Sequence, residues 1–172
     1  MGPELSMVPP VVDLPDAAVL NWGHHRTCFV HPHDPTRCIK VPLPGGTLDQ
    51  CVVEQDYYSH LAKRGIPLDH LAACHGWVDT SRGRGLVFDR IEYADGDDPS
   101  SVNLERAIST KLLGEREIRT GLRDLVAYLR EHRILWSDEN PKNICVTRRP
   151  RLRFIIVDGL GGRTALDIKY RL

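Results

Sequence analysis

Apolar residues along this chain come in two rhythms: short runs bounded by turn residues, and stripes at helical spacing. Residues 19–30 and 37–41 read as strands. Between them His31-Pro32-His33-Asp34-Pro35-Thr36 has the composition of a turn. The first run is interrupted over Asn21 to Arg26, which predicts a bend and a meander of three short strands. Pro42-Leu43-Pro44-Gly45-Gly46 is a loop, and residues 49–64 read as a helix with Val53, Tyr57 and Leu61 on one stripe and Gly65 as its stop. Residues 74–79 and 85–91 are two further strands around a Gly-containing turn. The acidic stretch 94–101 reads as a linker. Residues 104–132 are helical, with a break expected at Gly114 and with Ile118, Leu122, Leu125, Val126 and Leu129 on one face. Arg130, His132 and Arg133 close that helix where cations suit its dipole. A last hairpin joins 144–147 to 152–157 through Arg148-Arg149-Pro150-Arg151.

These elements predict an α+β chain: a five-stranded antiparallel lobe carrying one helix over 19–93, then a short, mainly helical lobe over 94–172. Four of the twelve prolines (Pro3, Pro9, Pro10 and Pro15) precede it, so residues 1–18 are expected to be flexible or extended. Met7 is a second candidate start. The 172 residues suffice for a sizeable core, and 41% hydrophobic with 27% charged residues is ordinary for a globular protein. Lys plus Arg equals Asp plus Glu at 23 each, which gives no basic field for nucleic acid or an anionic membrane. No apolar run approaches a membrane span, and the acidic, Pro-rich start lacks the features of a secretory signal. The five cysteines (Cys28, Cys38, Cys51, Cys74 and Cys145) are odd in number and include no C-x-x-C pair, as expected of buried thiols in a reducing compartment. A cytoplasmic protein is the expectation.

The chemistry-bearing residues concentrate near the end. Asp138 is followed five residues on by Asn143, and the apolar run Phe154-Ile155-Ile156-Val157 ends in Asp158. The first Asp can orient an attacking hydroxyl, while Asn143 and Asp158 offer hard oxygens suited to Mg²⁺. Lys40 sits between Ile39 and Val41, and Glu54 lies beside the apolar stripe of its helix rather than opposite it. Cys28, His31, His33 and Cys38 also have a spacing open to zinc. The competing account puts both cysteines on adjacent strands facing a pocket and both histidines in a turn. Asp95, Asp97 and Asp98 lack calcium-loop spacing, and Arg148 to Arg153 reads as a solvated hairpin tip or a docking patch.

In this order the parts resemble the protein-kinase-like fold. Arg37-Cys38-Ile39-Lys40 is similar to the kinase V-A-I-K, Glu54 to its helix Glu, and Asp138 with Asn143 to its catalytic loop. Asp158 matches the metal-binding Asp, and Asn21 to Cys28 resembles an altered glycine-rich loop with Gly23 at the middle glycine. A closer likeness is to the bacterial YrbL family, a kinase-like group associated with the PhoP regulatory network. It lies in residues 23–34, Arg37 to Lys40, Glu54 with Tyr57 to Leu61, and Asn140 to Ile144.

The resemblance implies ATP and Mg²⁺ as cofactors. Lys40 would hold phosphates with Glu54 keeping it extended, and Asp138 would orient an acceptor hydroxyl on a small molecule or protein. Asn143 and Asp158 would hold the metal. Cys28 and Cys38 would line the adenine pocket, and Phe88, Asp89 and the residues to Glu92 would offer hinge backbone groups. Asn21 and Arg26 replace the outer glycines, and Arg26, with His24 and His25, could compensate with charge. Trp136-Ser137 replaces His-Arg, Asn140 replaces a cation, and the chain ends fourteen residues after Asp158, so a truncated lower lobe is expected. The expected activity is phosphoryl transfer; the alternative is a pseudokinase acting as a binding or regulatory module.

Overall fold

The computed structural model describes residues 10–23, 25–45, 49–93 and 102–161. Five strands form an antiparallel sheet in the order β1-β2-β3-β5-β4: β1 (Val19–Trp22), β2 (Arg26–Val30), β3 (Arg37–Pro42), β4 (Cys74–Thr80) and β5 (Gly83–Asp89). Helix α1 (Asp49–Lys63) is inserted between β3 and β4. Side chains alternate across a strand, so β2, β3 and β5 each divide their residues between two faces. Phe29, Ile39, Val41 and Val87 point one way and meet Val12 and Leu14. Cys28, Cys38, Leu86 and Phe88 point the other way, toward α1 and the lower half. Lys40, flanked by Ile39 and Val41, is thereby delivered to this inner face.

The outer face bears on the N-terminal segment. Of the flexible or extended segment expected through residue 18, the part from Val12 is held in place: Val12 forms a bridge to Thr80 and exchanges backbone hydrogen bonds with Asp79 and Ser81, both 2.9 Å. Leu14 is 1% exposed. Without these two side chains the sheet would leave Phe29, Ile39 and Val87 open to water, and burial of that apolar surface holds the segment down. Residues 1–9, with Met7, lie outside the described residues, as do His24 and the acidic stretch 94–101.

The lower half holds α2 (Leu104–Ser109), α3 (Glu115–Glu131) and a three-stranded antiparallel sheet of β6 (Val102–Asn103), β7 (Ile144–Thr147) and β8 (Arg153–Ile156). The two-residue β6 is too short to leave an apolar pattern in sequence. The expected break is present. The Asn103 side chain caps α2 by accepting from Arg106 N–H at 2.8 Å, and Gly114 N–H donates to Glu117 Oε2 at 2.9 Å to open α3. The buried face of α3 is rotated from the expected one: Gly121, Leu125 and Tyr128 are buried, while Leu122 and Val126 are 36% and 40% exposed. Gly121 causes the rotation, because it leaves room for the ring of Phe154, whose atoms lie 2.8 Å from where a Cβ would stand. A residue with no side chain contributes nothing to a hydrophobic stripe.

The connection after α1 joins the halves. Ala72 N–H donates to Ile156 O at 3.0 Å, and Ile156 N–H donates to His70 O at 2.8 Å. Tyr128 reaches up from α3 to donate to Pro67 O at 2.7 Å. One cluster of buried residues then runs from Phe88 through Tyr58 and Leu61 to Leu125, Phe154 and Ile156. Among the described residues no helix is long and apolar enough to cross a membrane. Gly121→Val should overpack the Phe154 contact and lower unfolding free energy by about 2 kcal/mol, read as a lower urea midpoint at unchanged slope. An unchanged midpoint would remove Phe154 packing as the reason for this glycine.

Candidate active site

Lys40 and Glu54 are both buried, at 7% and 4% exposure, which is costly for charges unless they are paired. They are paired: Lys40 Nζ lies 3.2 Å from Glu54 Oε1 and 3.4 Å from Oε2. Glu54 can reach because α1 buries Cys51, Glu54, Tyr58 and Leu61, a stripe at three- and four-residue spacing that includes the carboxylate. Lys40 Nζ also donates to Val157 O at 2.6 Å, stands 3.8 Å from Asp158 Oδ2, and sits 4.1 Å from the centroid of the Phe88 ring. Burial would lower the Lys40 pKa, but Asp158 and then Glu54 outweigh it and the ammonium is held above its ordinary value.

Arg26 enters the same cluster from the start of β2. Gly23 N–H donates to Arg26 O at 2.9 Å, closing the turn that places the arginine under the sheet. One guanidinium arm meets Glu54 Oε2 at 2.6 Å and lies 3.6 Å from Cys51 Sγ, and the other donates to Asp158 Oδ1. Its side chain is 11% exposed. Burial opposes its charge, and Glu54 followed by Asp158 reverses that, so the guanidinium stays protonated. Burial likewise pushes Asp158 up, but Lys40, Arg26 and the Gly159 N–H leave its carboxyl below the ordinary range.

The Asp138 loop is locked to the Asp158 segment by backbone contacts. Ser137 N–H donates to Gly159 O at 2.9 Å, and Trp136 Nε1–H donates to Asp158 O at 3.2 Å. Gly159 has φ +83°, and a Cβ there would stand 2.8 Å from Asp138 Cβ, so no other residue lets the two segments approach. Asn143 Nδ2 donates to Asp138 Oδ2 at 2.8 Å and to Asp138 O at 3.3 Å. Asn143 O accepts from Val157 N–H at 2.9 Å, which brings Asn143 beside Asp158. The Asn143 side chain is thus turned with its donor toward Asp138 and its oxygen left as an acceptor. That oxygen with the Asp158 carboxylate is a donor set that fits Mg²⁺. Asp138 itself is exposed.

The remaining expected residues are placed as follows. Cys28 pairs with Lys40 across β2 and β3, and Cys38 is two residues from Lys40, so all three share the inner face. Contact with Cys38 lowers the Cys28 thiol pKa while contact with Cys28 raises that of Cys38, and burial pushes Cys145 on β7 up to about 12. Zinc is not supported: among the described residues no three His, Cys, Asp or Glu side chains converge as a zinc site needs, and His31 and His33 lie in the β2–β3 turn. Phe88 does not offer hinge backbone groups. It is paired in register with Cys38 on one side and Cys74 on the other, and meets the site through its ring. Asp89 N–H is also engaged, donating to Ala73 O at 2.9 Å, and its carboxylate accepts from Ala73 N–H and contacts His75.

Two residues noted in the sequence have roles there that it did not reveal. Trp136 anchors the Asp158 carbonyl by its indole. The Tyr57 hydroxyl accepts from Leu135 N–H at 2.6 Å, fastening α1 to the start of the Asp138 loop. Tyr57 was visible as a stripe residue, but nothing in a stripe reveals where its hydroxyl goes.

The fold resembles solved protein kinases. Rad53 in complex with AMP-PNP superposes with TM-score 0.56 at 15% identity, covering 86% of this chain and 38% of that one. A double mutant of the Mycobacterium tuberculosis PknI kinase domain gives 0.54 at 15%, covering 86% and 60%. The CAK complex of Chaetomium thermophilum bound to ATP-γ-S gives 0.53 at 17%, covering 80% and 44%. The chain therefore spans about two fifths to three fifths of these kinase chains. YrbL of Escherichia coli (strain K12), described as uncharacterized, is 30% identical over 163 residues, covering 92% of this chain and 77% of that protein. The family described as PhoP regulatory network protein YrbL matches residues 12–171. The chain belongs to this YrbL family and has its protein-kinase-like fold.

Proposed function

We propose that this chain binds ATP with Mg²⁺ between β3, α1 and the Asp138 and Asp158 segments, and transfers the γ-phosphoryl group to a hydroxyl acceptor. The observation that carries this reading is the Lys40–Glu54 pair, already made, with Asp158 alongside. Lys40 serves as a fixed positive charge for the phosphates, and Glu54 with Val157 O prevents it from turning away. Asn143 and Asp158 are the residues that would hold Mg²⁺. When bound, the metal supplies charge neutralisation between phosphates. Asp138 is exposed, and its Oδ2 is steadied by Asn143, so its carboxylate can orient an incoming hydroxyl and accept its proton. Cys28, Cys38 and Cys145 give the neighbouring wall a soft, weakly polar surface suited to a nucleobase.

A second reading is a nucleotide-binding regulatory module without turnover. The contact of Arg26 with Asp158 favours it, because the arginine occupies one oxygen of a residue that phosphoryl transfer needs.

Two measurements decide between these. Millimolar ATP with Mg²⁺ should raise the melting temperature of the wild type, and Lys40→Ala should abolish the rise; no rise in the wild type rejects a nucleotide site of either kind. Asp138→Asn should keep the rise and lower ATP turnover by about 10²-fold or more. Turnover equal to wild type in that variant removes Asp138 from the chemistry, and a rise without turnover in the wild type selects the regulatory module.

A further inference from the structure

The cluster around Lys40 holds two cations and two carboxylates. Lys40 and Arg26 each face both Glu54 and Asp158. Without Arg26, one ammonium would face the buried Glu54 and the half-buried Asp158, and the excess negative charge would repel phosphates until a metal ion arrived. With Arg26 the excess is already cancelled.

Three features make Arg26 more than a spectator. Its guanidinium is permanently charged, less strongly hydrated than an ammonium, and forked, which suits phosphate oxygens. It is the first residue of β2, and its side chain, 11% exposed, is aimed inward at both carboxylates. It also holds Asp158 Oδ1, which additionally accepts from Gly159 N–H at 2.8 Å, while Oδ2 faces Lys40 at 3.8 Å. Both oxygens of Asp158 thus already face a cation of the protein, and a divalent ion entering there has to compete with them.

We infer that the site accepts a nucleoside triphosphate free of divalent cation, with the Arg26 guanidinium meeting the phosphate oxygens. This rests on the nucleotide-binding reading above and deepens it. Arg26 keeps one arm on Glu54 and turns the arm now on Asp158 Oδ1 to the phosphate oxygens, so the guanidinium bridges the cluster and the ligand.

The test is calorimetric titration of ATP into the full chain, once with excess EDTA and once with excess Mg²⁺. In the wild type the two dissociation constants should agree within about threefold. Arg26→Ala should weaken binding in EDTA by about tenfold or more and should weaken it less with Mg²⁺. Arg26→Lys, which keeps the charge in a point form, should fall between them and serves if the alanine variant does not fold. Binding that Mg²⁺ supports and EDTA abolishes in the wild type would overturn the inference while leaving the nucleotide site intact. Arg26→Ala binding ATP in EDTA as well as wild type would overturn it too. No binding under either condition overturns the nucleotide reading itself.

Discussion

A buried ammonium needs a buried carboxylate, and in this protein that need governs where four separate segments go. Removing such charges from water costs several kcal/mol each unless partners replace the lost hydration. Lys40 on β3, Glu54 on α1, Arg26 at the head of β2 and Asp158 after β8 satisfy one another, so none of these segments can leave without stranding a charge. The alternation of β3 sends Lys40 inward. The stripe of α1 sends Glu54 to meet it. Tyr58, whose hydroxyl donates to Ala72 O at 2.5 Å, and Tyr57, whose hydroxyl accepts from Leu135 N–H of the adjoining loop, keep that helix seated.

Around the charges stands a frame made mostly of backbone hydrogen bonds. Asp138 and Asp158 come from loops, which are ordinarily the least constrained parts of a fold. Here the Ser137–Gly159, Asn143–Val157 and Trp136–Asp158 contacts bind the two loops into one unit. That unit is tied upward by Lys40 to Val157 O. The two halves of the fold therefore share hydrogen bonds at the Lys40 cluster.

Much of this was legible in sequence, for identifiable reasons. Lys40, Glu54, Asp138, Asn143 and Asp158 stood out because a charged residue inside an apolar run, or a fixed spacing of hard oxygen ligands, is itself a local signal. The five strands and α1 followed from turn residues and apolar spacing. What escaped depended on distant partners. The packing of Val12 and Leu14 is decided by an outer sheet face that no local window contains. The rotation of α3 is decided by the fit of Gly121 to Phe154 across more than thirty residues of chain. Phe88 was assigned to the hinge by position, but pairing on both sides of β5 commits its backbone to the sheet. The reach of Arg26 to both carboxylates needed the turn at Gly23 to be seen closed.

Trp136 has a consequence of another kind. Its indole hydrogen bonds to the carbonyl of Asp158, so the ring is an optical reporter built into the segment beside the charges. The chain has three tryptophans; Trp22 is 67% exposed on an edge strand, and Trp77 stacks with Arg84, 4.8 Å away. Emission from such different surroundings is separable by wavelength and quenching. The natural protein, unlabelled, can announce when the Asp158 segment changes its hydrogen bonding.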